Sequence, residues 1–160
     1  LLPIPFATAG PMFRSRAGTT AKNRYFPQLT DILANDLSPT WEVIPQIGRD
    51  FEFALTVRDN VAVGGQTASD LMILTATNAA GPFVVSSQNS NTTWIQGDEQ
   101  TITWDVANTD SAPVNCLKVN ILFSAMGDFT DTIILAVNAD NNGSKNIIAP
   151  NSITDKGRLM

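Results

Sequence analysis

Histidine is missing from this 160-residue sequence, and cysteine occurs once. Without histidine there is no Ser-His or Cys-His nucleophile pair and no zinc site built on an imidazole. A lone cysteine, Cys116, cannot close an intrachain disulfide. Basic residues are scarce too: ten Lys and Arg against fifteen Asp and Glu leave a net charge of −5. Nucleic-acid backbones are held by concentrated Lys and Arg, so an acidic protein is a poor candidate for that partner. No apolar run approaches the roughly 18 residues that a membrane-spanning helix needs. The apolar opening Leu1-Leu2-Pro3-Ile4-Pro5-Phe6 is broken by prolines and has no basic lead-in, which argues against a signal peptide. What remains is a sequence with no expected catalytic residue, no expected metal or cofactor ligand, and no expected membrane insertion.

What the sequence does have is alternation. In Gln100–Phe123, Ile102, Trp104 and Val106 point one way while Thr101, Thr103 and Asp105 point the other. A second run sets Leu117, Val119, Ile121 and Phe123 against Cys116, Lys118 and Asn120. A period of two marks strands with one buried face, and Trp104 is large enough to anchor a small core. Phe51, Phe53, Leu55 and Val57 alternate with Glu52, Ala54, Thr56 and Arg58, and Leu71–Thr75 reads as the return strand. Asp59-Asn60 and Gly64-Gly65 supply the turn between them. Shorter strands are expected at Trp41–Pro45, Phe83–Val85, Thr93–Ile95, Thr132–Val137 and Lys145–Ala149, with an edge pairing at Met12-Phe13. Leu29, Ile32 and Leu33 fall at helical spacing after Pro27, ending at Asn35-Asp36.

These elements predict an all-β protein of two tandem immunoglobulin-like β-sandwich modules. The first spans 1–78 and opens with an irregular segment, 1–24. Residues 79–82 form a linker ending in Gly81-Pro82, and 83–160 make the second module. The absence of an initial Met and the stop at Leu159-Met160, where a strand reads as starting, are what a piece of a longer protein would show. Low charge and abundant Thr, Asn and Ser suggest a secreted, extracellular bacterial setting.

Several residues are candidates for chemistry. Asp59, Asn60 and Asp70 offer oxygens of the kind calcium takes, although Asp and Asn also cap turns with their own backbone. Asn138–Gly143 imitates the first half of an EF-hand loop, but Ala149 stands where the closing Glu belongs, so a hairpin turn is expected. Asp105 with Asp128 is a carboxylate pair on paper only. Trp104 reads as core, while Trp41 and Trp94 are open to a surface role in sugar binding. Arg14, Arg16, Lys22 and Arg24 form a basic cluster that reads as a solvated loop. Asn91-Thr92-Thr93 and Asn142-Gly143-Ser144 match the glycosylation acceptor pattern and read as exposed turns.

The second module carries Trp94-Ile95-Gln96-Gly97, Gln100–Ala107, Ala112–Cys116, Val119–Ser124 and Asn142-Gly143-Ser144. The first carries Arg24–Pro27, Trp41-Glu42-Val43, and Thr56–Asn60 followed by Gly64–Asp70. Together, over about residues 24–160, these resemble the C-terminal Ig-like/PKD-like accessory region of secreted bacterial reprolysin-type zinc metalloproteases. In that family the peptidase activity belongs to an upstream histidine-rich domain, and no HExxH motif occurs here. The resemblance therefore implies non-catalytic accessory domains that position or stabilise an enzyme outside the cell. Their partners would be neighbouring domains of the same polypeptide, with a protein or polysaccharide surface as a further candidate. A carbohydrate- or surface-binding module using exposed aromatics is the alternative.

Overall fold

The computed structural model describes residues 2–20 and 23–160. The chain divides into two compact units, Leu1–Asn78 and Ala79–Met160, and each is all but free of helix among the described residues.

In the first unit the Phe51–Val57 alternation makes a long hairpin. Strand β1 (Arg49–Arg58) pairs antiparallel with β2 (Thr67–Ala76), from Arg49 opposite Ala76 to Arg58 opposite Thr67. Asp59 closes the turn by accepting the N–H groups of Val61 (3.1 Å) and Gln66 (3.0 Å). Gly65 is obligatory there, since a Cβ would lie 2.7 Å from the Val61 carbonyl oxygen. Phe51 and Phe53 point at an irregular layer built from the residues before the hairpin. That layer contains one helix, α1 (Leu29–Leu33), which ends at Asn35 in the left-handed region, and one isolated bridge, Phe13 with Glu42. Met12, Val43 and Phe51 form the buried core, and the rings of Phe13, Phe26, Phe51 and Phe53 meet at centroid distances of 5.0–6.3 Å.

The expected strand at Trp41–Pro45 is reduced to that one bridge. Trp41 sits at φ 67°, outside the extended region, and Pro45 has no N–H to give a ladder. Among the described residues the first unit therefore holds a single two-stranded sheet.

The second unit has two three-stranded antiparallel sheets. One is β3 (Val84–Val85), β4 (Glu99–Asp105) and β7 (Ser144–Ile148), in the order β3-β4-β7. The other is β5 (Lys118–Ser124), β6 (Ile133–Asp140) and β8 (Arg158–Leu159), in the order β6-β5-β8. Both sheets feed one core. Ile102 and Trp104 of β4, Ile147 of β7 and Ile121 of β5 are buried together, with Val85, Trp94, Val106, Val119 and Leu135 packed around them. The period-two reading of β4 holds: Ile102 and Trp104 are 2% and 6% exposed, and Thr101 and Asp105 face solvent.

A buried polar knot ties this core. The Trp104 indole N–H donates to Asn141 Oδ1 at 2.8 Å. The Asn141 amide donates in turn to Thr109 Oγ1 (3.0 Å) and the Cys116 carbonyl (2.8 Å), and its backbone N–H to the Leu117 carbonyl (3.0 Å). Asn141 is 5% exposed, yet every one of these groups has a partner.

In the second unit the structure corrects three further expectations. The second run begins at Lys118, so Cys116 and Leu117 precede the strand and are exposed. Their carbonyls are taken by Asn141, and a left-handed Asn115 turns the backbone just before them. Thr93–Ile95 is not a strand; Trp94 instead stacks on Phe123 at 6.4 Å. The strand expected at Thr132–Val137 runs on to Asp140, because the side-group oxygen of Asn120 accepts the N–H of left-handed Asn138 (2.9 Å) and the ladder shifts register around Ile121. Within 79–82, Gly81 donates its N–H to the Ala107 carbonyl at 2.8 Å, which fastens that end to the second unit.

Truncating the anchor, Trp104→Ala, is expected to destabilise the second unit by roughly 3–5 kcal/mol, the usual cost of deleting a large buried aromatic. Asn141→Ala leaves the indole N–H and the Cys116 carbonyl without partners and is expected to cost about 1–3 kcal/mol. Denaturant midpoints of the two variants check both, and an unchanged midpoint for Trp104→Ala would show that the indole is not core.

Candidate functional site

Among the described residues the one buried charge is Glu42, 1% exposed and placed by its bridge to Phe13. Its Oε1 accepts from Arg16 Nε (2.8 Å) and Arg24 Nη2 (2.6 Å), and its Oε2 accepts the N–H of Gln28 (3.0 Å). Arg24 also donates to the Arg14 carbonyl at 2.9 Å, and its guanidinium lies 4.3 Å from the centre of the Phe26 ring. Of the basic cluster, Arg14, Arg16 and Arg24 lie on an exposed loop, as expected, but the loop is anchored. Two of its members turn inward on one carboxylate, and Lys22 lies outside the described residues. Burial alone would push the Glu42 carboxyl up, but the hydrogen bonds and charges of Arg16 and Arg24 more than offset it and hold it below the usual glutamate range. A carboxylate so enclosed has no room for substrate or water. Its chemistry is to pin the segment around Arg16 and Arg24 to the strip at Glu42.

The carboxylates singled out in the sequence are turned to local backbone. Asp59 closes its own loop, and its carboxyl is lowered by the Val61 and Gln66 N–H bonds. Asp70 sits mid-ladder opposite Leu55, with its oxygen on the N–H of Leu71, so it is not brought to Asp59 and Asn60 as a calcium cluster. Asp105 accepts the N–H of Ala107, and Asp128 accepts both the N–H and the hydroxyl of Thr130. Each of that paper pair caps its own turn. Among the described residues no group of three or more His, Cys, Asp or Glu is arranged to hold a metal. Asn138–Gly143 splits between the end of β6 and a turn at 141–143; the turn is as expected, but it joins strands of two different sheets and is not a hairpin.

Sequence reading misses one further acid. Asp131 accepts the hydroxyl of fully buried Ser124 and the N–H groups of Ala125 and Met126 (3.0 Å each), while Ser124 Oγ accepts from Gly127 (2.9 Å) and Phe129 (3.1 Å). The Ser124 hydrogen bond is the main reason that the Asp131 carboxyl is lowered. Only the spacing of a Ser and an Asp around a Gly hints at this closed loop. Beside it lies a cleft of about 340 Å³ lined by Ala125, Met126 and Ile153–Lys156. Its wall residue Ile153 is 95% exposed, so the cleft encloses nothing in the way a ligand pocket does.

Of the tryptophans, Trp104 is core and Trp94 packs against that core. Trp41 is 37% exposed, with left-handed backbone.

The most distinctive surface belongs to the first unit's hairpin. Leu55, Val57, Met72 and Leu74 lie on the same face as Phe51 and Phe53, by their register, yet are 51–67% exposed. On the opposite face Leu71 and Ile73 are 66% and 71% exposed. No third strand pairs with β1 or β2 among the described residues. β1 carries Arg49, Asp50, Glu52 and Arg58, whereas β2 carries one charge, Asp70. The β2 edge thus lacks the charges that usually protect a free strand. No family model, no curated protein and no solved structure matches this sequence.

Replacing the buried acid, Glu42→Gln, is expected to cost the first unit about 3 kcal/mol. That is the low end of the ~3–5 kcal/mol for breaking a buried pair, because both guanidinium groups are a third exposed and water takes over part of their solvation. A folded-state value below 4.5 stabilises the fold in full above that pH, and the contribution is lost as pH falls through the lower folded value. Acid titration of unfolding should therefore show less pH dependence below 4.5 in the Gln variant than in the parent; identical acid profiles would contradict this assignment.

Proposed function

We propose that this protein is a non-catalytic accessory region whose first unit packs against a neighbouring domain of the same polypeptide. One observation carries the reading: on the core face of the β1–β2 hairpin, Leu55 and Val57 beyond Phe53, and Met72 and Leu74 across from Phe53 and Phe51, remain open to solvent. Burying such side groups is worth about 1.5–3 kcal/mol each when complete. A two-stranded ribbon is also marginal by itself and gains from a third strand or a covering layer. An apolar strip of this kind marks a surface for protein contact. The resemblance to accessory regions of secreted zinc metallopeptidases supports the same role and suggests two immunoglobulin-like modules and an extracellular setting. On this reading any peptidase chemistry lies outside the 160 residues.

Hydrogen exchange tests the packing directly. Backbone amides of β2, Thr67–Ala76, are expected to exchange more slowly in the polypeptide encoded by the whole open reading frame than in the 160-residue protein. Equal exchange in the two would remove the support for a covered hairpin.

A second reading rests on Trp41 alone. A bulky residue held at φ 67° and a third exposed is the kind of strained, accessible aromatic found at ligand surfaces. As a carbohydrate platform, its indole fluorescence should respond to soluble polysaccharide, and Trp41→Ala should abolish retention on insoluble polysaccharide. Retention unchanged by that substitution would dismiss it.

A further inference from the structure

The turn between β6 and β7 holds the only asparagine in the sequence that is followed by glycine, Asn142-Gly143. Asn142 is exposed, and its Oδ1 accepts the N–H of Ser144 at 3.3 Å. Gly143 has no Cβ to shield its nitrogen and sits at φ 93°. Three features of a self-cyclising amide therefore meet: an accessible Cγ, an unshielded nucleophile on the next residue, and a hydrogen-bond donor aimed at the oxygen where negative charge develops. A donor so placed favours the charge-separated transition state of acyl transfer.

We propose that Asn142 is a site of spontaneous deamidation. The backbone nitrogen of Gly143 loses its proton to solvent base and attacks Cγ of Asn142. The new C–N bond forms a five-membered succinimide, and the bond from Cγ to Nδ2 breaks with release of ammonia. Water then opens the ring at either carbonyl, leaving aspartate or isoaspartate. Water is the only co-reactant, and no oxidant or reductant is consumed.

The position gives the event a consequence. The preceding residue is Asn141, which accepts the Trp104 indole N–H, and the carbonyl of Gly143 accepts the Trp104 backbone N–H at 3.0 Å. Isoaspartate adds a methylene to the backbone between these two anchors. Either product also adds a negative charge close after Asp140, which pairs with Lys118. The modification therefore reaches the buried polar knot of this core from the surface.

The test is incubation of the folded 160-residue protein in neutral to mildly alkaline buffer, with peptide mass spectrometry that separates aspartate from isoaspartate. The Asn142 peptide is expected to gain the mass of an amide-to-acid change, as a mixture of both isomers. Its rate should rise about tenfold per pH unit, as the ionised fraction of a group far below its pKa does. Asn142→Gln should slow conversion at this position at least about tenfold, since a six-membered ring must then form. Conversion to aspartate alone would mean direct hydrolysis and overturn the proposal. So would an unmodified Asn142 in the folded protein when the urea-unfolded protein converts readily. Red-shifted tryptophan emission in the isoaspartate fraction would carry the link to Trp104, and unchanged emission would sever it.

Discussion

One hydrogen bond, from the Trp104 indole N–H to Asn141, ties the core of the second unit together. Trp104 gives the two sheets their largest apolar group, but its N–H would cost dearly if buried alone. Asn141 meets it and then uses both hydrogens of its own amide on Thr109 and Cys116. The knot thus spans β4, the turn after β6 and the loop before β5, which are far apart in sequence. It explains why β5 starts at Lys118 and why the β6–β7 turn is so short. The first unit solves a similar problem with charge. Glu42 is buried because Arg16, Arg24 and the Gln28 N–H supply the donors it needs.

Much of this architecture was legible in the sequence wherever the signal was periodic. The alternations through Ile102–Val106 and Phe51–Val57 place strands where they occur, and Asp59 with Gly64-Gly65 announces the turn between β1 and β2. Met12-Phe13 as an edge pairing and the short helix at Leu29–Leu33 also follow from local spacing. The reading fails where long-range partners overrule it. Leu117 fits the alternation of β5 but lies outside the strand, because its carbonyl is claimed by Asn141, in the turn beyond β6. Trp41–Pro45 has strand-like composition and no strand neighbour to pair with. Arg16 and Arg24 are exposed as read, but nothing local to them reveals their shared partner Glu42. Asp131 escapes notice for a different reason: its partners lie only five to seven residues back, in a loop with no periodicity to read.

Function follows the same division. Expectations built on residue chemistry concern absences, such as histidine, and these come from the sequence itself. The positive feature, an uncovered apolar hairpin, depends on knowing which half of an alternating face lies beneath the irregular layer. Sequence periodicity shows that Leu55 and Val57 share a face with Phe51. It does not show that the cover stops at Phe53.

The layout of the first unit also dictates a schedule. Among the described residues before the hairpin there are one short helix and one bridge, and their apolar groups complete their packing on β1 and β2, which are synthesised last in this unit. Contacts of such long sequence separation close slowly. During vectorial synthesis the amino-terminal segment must therefore wait, with Met12, Phe13 and Phe26 lacking their Phe51 and Phe53 cover, until the hairpin has emerged and zipped. The part of the unit made first is the part fixed last, which leaves an interval in which a chaperone or a neighbouring domain has access to it.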